Sequence, residues 1–143
     1  MRRAGVAIGL VFVLGAALGA CSNSTGGGAS TSGCGPLPAV MSQVPPNARS
    51  FPAPPGVAVI GVEHTDPYTE IIAVVQGGMA GVLEQYKQVL QQSGYNVTGT
   101  TKGKGFARLS YGGPSSEGTV ALLPECPGRT DITVSVTAAP GPQ

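Results

Sequence analysis

The chain has 143 residues, enough for one modest domain, and carries a formal charge of +1 with only 10% charged residues and no Trp. That composition excludes a polybasic nucleic-acid binder, which needs clustered cations to displace counterions. With Arg2 and Arg3 set aside, six basic residues face seven acidic ones, so long-range electrostatic steering is not expected to dominate its associations.

Residues 1–20 have the three parts of an export signal. Arg2 and Arg3 supply the positive n-region, Ala4 to Ala17 form an uncharged apolar run, and Leu18-Gly19-Ala20 leads into Cys21. A retained transmembrane anchor is the rival reading, since the run from Ala4 to Ala20 reaches the lower limit for spanning, about 17 residues. No stop-transfer charges follow it, however. An ordinary secretory cut after Ala20 would place Leu18 where a small residue is wanted. The segment Leu18-Gly19-Ala20-Cys21 instead resembles the bacterial lipobox. The resemblance covers residues 1–21. It implies a signal peptide over 1–20, cleavage before Cys21 and lipidation of Cys21 with palmitate-type acyl chains. The product would be a secreted lipoprotein held to the cell membrane, with its domain on the extracytoplasmic side. One acyl chain binds a bilayer only marginally at about 0.8 kcal/mol per buried CH₂, and two or three hold it firmly.

Lipidation of Cys21 would leave Cys34 and Cys126, which are expected to pair in an oxidising compartment. The bridge would close a loop of roughly 90 residues and stabilise by about 4–5 kcal/mol on chain-entropy arithmetic. Burial of either cysteine as a small apolar side chain is the alternative.

Residues 21–55 read as a tether followed by a Pro-rich approach. Ser22 to Gly33 is a flexible Gly/Ser/Thr coil, expected to be as disordered as the signal. Pro36 to Pro55 is expected to be extended and PPII-like, a stiff spacer packed along the domain. The domain itself is expected over 56–139. Alternation begins at Gly56 and predicts a strand through Val62, with Val57, Val59 and Gly61 on one face. Asp66-Pro67 breaks it, and Thr69 to Gln76 predicts the second arm of a hairpin. Met79 to Ser93 changes to helical spacing, with Val82, Leu83, Tyr86, Val89 and Leu90 in one stripe and Gly94 as the stop. Four more strands are predicted over Tyr95–Thr101, Gly105–Tyr111, Thr119–Leu123 and Asp131–Thr137. The order ββαββββ describes an α+β fold, one helix packed on a largely antiparallel sheet. Tyr86 in the helix, with Gly94-Tyr95 after it, resembles a pattern in small exported actinobacterial lipoproteins. It covers residues 79–123 and implies a helix crossing a curved antiparallel sheet, but no activity.

The chain has one histidine. Glu63, His64 and Asp66 could be read as metal ligands, but strand alternation leaves only His64 and Asp66 on one face, and zinc needs three or four ligands. A solvated turn is the better reading. A serine-nucleophile elbow fails at Gly113-Pro114-Ser115-Ser116-Glu117, where Glu117 takes the place of the last Gly. No nucleotide or zinc-hydrolase motif is present, so no cofactor is expected. Lys102, Lys104, Phe106 and Arg108 alternate and would share one sheet face. They could receive phosphate, a lipid headgroup or an anionic polymer, or simply guard a strand edge with charge. Asn23-Ser24-Thr25 and Asn96-Val97-Thr98 are glycosylation sequons in form only, given a bacterial signal.

These features favour a non-catalytic module, tethered to the membrane by lipid and acting by binding, with an envelope protein as its partner. A carrier of lipid or small ligands, using a pocket between helix and sheet, is the alternative. Against it, a domain this small can rarely spare a cavity of about 300 Å³.

Overall fold

The computed structural model describes residues 34–138; the predicted signal sequence, Cys21, the predicted tether and the C-terminal tail lie outside the described residues. Short, β-branched alternating runs divided by Gly and Pro form β1 (Ala58–Thr65) and β2 (Tyr68–Gln76), then β3 (Asn96–Gly103), β4 (Phe106–Gly112), β5 (Ser116–Cys126) and β6 (Arg129–Ala138). Two helices accompany them, α1 (Pro46–Arg49) and α2 (Met79–Gln92). The six strands make one sheet in the order β1-β2-β6-β5-β4-β3, every neighbouring pair antiparallel. The result is one antiparallel six-stranded sheet with a helix across one face.

Topology dictates the path of α2. β2 lies second in the sheet and β3 at the far edge, so the helix must carry the chain across the face, and it packs on β3, β4, β5 and β6. Its buried stripe is Val82, Leu83, Tyr86 and Leu90, each contributing on the order of 1.5–3 kcal/mol by burial. The helix ends as the sequence predicts. Gly94 takes φ 83°, Tyr95 N–H donates to Leu90 O (2.9 Å), and Gly94 N–H donates to Gln91 O (3.1 Å). This Schellman arrangement needs a left-handed residue, which glycine supplies without strain.

The inner sheet face that meets α2 carries Ala107, Leu109, Val120, Leu122, Ile132 and Val134 in cross-strand register. Ile71, Ala73 and Val75 continue it onto β2. Alternation of Val57, Val59 and Gly61 does not persist, because a bulge between Val59 and Gly61 puts Val59 opposite Ala73 and Gly61 opposite Ile72. The two therefore face opposite ways.

The approach segment departs from expectation. Residues before 56 pack into the core, and residues 46–49 form a helical turn where an extended spacer was predicted. Proline is compatible with a first helical turn, since its missing N–H would have had no partner there. Ala48 is buried in the core, and Val44, Phe51 and Val57 pack against it. Met41 N–H donates to Val59 O (2.9 Å), attaching the segment to the edge strand β1.

Cys34 and Cys126 form a disulfide with Cα atoms 5.6 Å apart and a sequence separation of 92. Arg129, only 6% exposed, locks the same region. Its guanidinium donates two hydrogen bonds to Glu125 and a third to Gly35 O (2.9 Å). Thr130 Oγ1 donates to Gly77 O and Gly77 N–H to Gly128 O, both at 2.8 Å. We call this the bridge end of the sheet. The opposite, or cleft, end holds the β1–β2 turn and the β4–β5 connection.

Two stability predictions follow from the bridge end. Replacing both cysteines with serine is expected to cost about 2–5 kcal/mol in urea denaturation; an unchanged midpoint would show the bridge to be energetically idle. Burial, and then the neighbouring Glu125, raise the pKa of Asp131. The folded state therefore binds that proton more readily than the unfolded chain, and the penalty is present at neutral pH and absent below the usual carboxylate range. Asp131→Asn should raise Tm at pH 7 and lose that advantage on acidification, as scanning calorimetry across pH would show.

Candidate functional site

At the cleft end, α1, the turn after α2 and four strands leave an open cleft of about 450 Å³. Each wall follows from local structure. Cis Asp66-Pro67 closes the tight β1–β2 hairpin, and strand alternation puts His64 and its partner Thr69 on the inner face. His64 Nδ1 and Thr69 Oγ1 are hydrogen-bonded at 3.0 Å. The Schellman turn projects Tyr95 from the end of α2 toward Ser115 and Ser116. Ser116 Oγ donates to the Tyr95 hydroxyl at 3.2 Å, and Ser115 Oγ lies 3.4 Å from it. Asn47, Ser50 and Phe51 come from the helical turn and its exit, and Ile71 and Val136 from the sheet.

Three aromatic rings support the cleft. Phe51 lies 5.4 Å from Tyr111 and 6.4 Å from Tyr95, and Tyr95 meets Tyr111 edge-on at 5.6 Å. Such pairs add roughly 0.5–1.5 kcal/mol each beyond their burial. Glycines make room for two of the rings. A Cβ on Gly113 would overlap the Tyr95 ring, and one on Gly118 would overlap Ser135 O and crowd the Tyr111 hydroxyl. With that space open, Tyr111 donates to Ser135 O at 3.2 Å. Burial, and then Tyr95, push the Tyr111 phenol well above its ordinary pKa, so it stays a neutral donor.

Charge in the cleft is one-sided. Asp66 contributes a carboxylate, and no Lys or Arg lines it among the described residues. Glu63, Glu70 and Glu117 stand at the same end of the sheet. Hydroxyl, amide and imidazole groups beside apolar walls can bind a small polar molecule with one apolar side. A nucleophilic relay needs a serine bonded to its base; here both serines turn to Tyr95 and His64 bonds Thr69.

The structure thus joins residues the sequence kept apart. His64, Asp66, Ser115 and Ser116 line one cleft, although Glu63 faces the other way. Asn47 and Phe51 carried no local signal and Gly94-Tyr95 marked only the helix end, because their meeting depends on the approach segment folding back. The four residues read as one anionic-ligand face do not share it. Lys102 pairs with Ala107, which faces α2, and its Nζ lies 3.7 Å from Glu84 Oε1. The turn at Lys104-Gly105 interrupts the alternation, so only Phe106 and Arg108 are fixed on the outer face by their shared strand. Among the described residues no group of three or more His, Cys, Asp or Glu could hold a metal ion. None of their helices is long and apolar enough to cross a membrane. Comparison with known proteins finds no matching family model, no matching curated protein and no matching solved structure.

Tyr95→Phe removes both serine contacts but keeps the ring, and is expected to cost about 1 kcal/mol in thermal or urea unfolding. Gly113→Val should displace the ring itself and cost more. Equal effects would mean that the hydroxyl, not the ring, organises the cleft.

Proposed function

We propose that this chain is an exported bacterial lipoprotein, cut before Cys21 and held to the cell membrane by acyl chains on that residue, whose domain acts by binding rather than by catalysis. The cleft carries the binding part of this reading. Its volume of about 450 Å³ lies within the range of small-molecule sites, about 300–1,000 Å³. Hydroxyls of Ser50, Thr69, Tyr95 and Ser116 beside the Phe51 ring suit a polar ligand with an apolar face. Asp66, without a lining cation, favours neutral or cationic ligands over anions. An acyl chain fits less well, because it would strip water from these hydroxyls without replacing their hydrogen bonds. Recognition by an envelope protein would then be tuned by whether the cleft is filled.

Both parts can be tested separately. Intact mass of the membrane-extracted protein should give a chain starting at Cys21, heavier by two or three acyl chains, and Cys21→Ser should abolish the modification. A full-length unmodified chain would end the anchor reading. For the cleft, an NMR titration with sugars, polyols and small amines should move the amides of Asn47, Thr69 and Ser116 while leaving Leu123 still. Ala138→Trp, at the mouth, should block the response. Preference for phosphates or carboxylates, or no response at the cleft across the panel, would refute it.

A further inference from the structure

We infer that the bridge end of the sheet is a membrane-docking face, which lies against an anionic lipid surface and holds the cleft end outward. This rests on the proposed anchor at Cys21.

Three independent features converge on that end. The first is chain length. Twelve residues lie between Cys21 and Cys34, so thirteen Cα–Cα steps reach at most about 45 Å at 3.3–3.6 Å per residue. Cys34 is fixed by its disulfide to Cys126, at the end of β5. A bilayer holding Cys21 is therefore within reach of this end. The opposite end of β5 lies about 35 Å away along the strand.

The second is exposed apolar surface. Phe106 is 42% exposed and Leu123 51%. Ala107 pairs with Leu122 on the inner face, so the next residues along each strand, Phe106 and Leu123, turn outward together. Leu37, also exposed, stands over the hollow beside Val74 on the same face. Phe106 lies across Gly103, where a Cβ would collide with its ring.

The third is charge. Lys104 and Arg108 lie beside Phe106, whereas Lys102 turns to the opposite face with Ala107 and Glu63, Asp66, Glu70 and Glu117 belong to the cleft end. Glu125 and Asp131 are the acids of the bridge end; Arg129 neutralises Glu125, and Lys102 is shared with Glu84. Asp131 stands opposite Leu123, so the cationic part of the face is Lys104 and Arg108 beside the exposed Phe106, an arrangement that matches anionic headgroups over acyl chains.

The chain contains no Trp, so Phe106→Trp places a single indole on the face and Tyr68→Trp places one at the other end. Each full-length protein, extracted in detergent, is reconstituted into phosphatidylcholine vesicles and into vesicles of mixed phosphatidylcholine and phosphatidylglycerol. Phe106→Trp emission should shift to the blue, and be quenched by brominated lipid, in the mixed vesicles at low salt, with the response fading at high salt. Tyr68→Trp should keep water-like emission throughout. Lys104→Gln and Arg108→Gln should each weaken docking about fivefold, and together roughly twenty-five-fold, taking about 1 kcal/mol per basic residue at an anionic surface. Leu123→Trp repeats the readout should Phe106→Trp misfold. Protein that floats with both vesicle types while neither indole on the face responds would overturn the docking face and leave the anchor standing. Protein that does not float with phosphatidylcholine alone would overturn the anchor, and the response in mixed vesicles would then report the face by itself.

Discussion

A single 14-residue helix must cover one face of a six-stranded sheet, and the rest of the molecule answers that shortage. A helix of this length spans about 21 Å and is about 10 Å wide, while six strands at 4.8 Å spacing extend for some 24 Å. α2 packs on the four strands from β3 to β6, leaving the inner face of β1 and β2 without a helix. Val44, Ala48, Phe51 and Val57 fill that gap. The approach segment is therefore a second covering layer, and it has too few residues in regular structure to stay in place alone. The disulfide and the three hydrogen bonds of Arg129 hold its start, while the Met41–Val59 bond attaches its middle.

The cleft arises from the same economy. Where the approach segment turns at α1 and α2 stops at Gly94, neither layer reaches the sheet corner formed by the β1–β2 hairpin. The uncovered corner is walled by whatever side chains the two layers present last, Phe51 from one and Tyr95 from the other. Their contact through Tyr111 makes the cleft part of the core rather than an accident of its surface, and ties its shape to the packing of α1.

Local periodicity made the central elements legible. Helical spacing from Val82 to Leu90, the Gly94 stop and the alternating runs of β2, β4 and β6 are short-range patterns, and each formed near its predicted place. Long-range consequences were not legible. Pro45-Pro46 argues for an extended chain by composition, yet a hydrophobic Ala48 with an uncovered sheet beneath it makes one helical turn worthwhile. The grouping of Lys102 with Arg108 failed because alternation was carried through a two-residue turn, which reverses the chain and sends Lys102 to the face of Ala107. Neither Phe51 nor Tyr95 pointed to a cleft in sequence, since their role comes from meeting each other across 43 intervening positions. The pairing of Cys34 with Cys126 was accessible by counting cysteines, but not its work in clamping a covering layer.

The bridge also determines how the domain would respond to mechanical load. β1 is an edge strand with β2 as its one neighbouring strand, and a pull entering through it could peel the sheet open one hydrogen bond at a time. The disulfide diverts tension arriving at Cys34 into β5, which is flanked on both sides by β4 and β6. Separating β5 would require many hydrogen bonds to fail together in shear. A pull from the N-terminal side is thus loaded onto a fully paired interior strand, and the covering segment, looped between Cys34 and β1, is spared the strain.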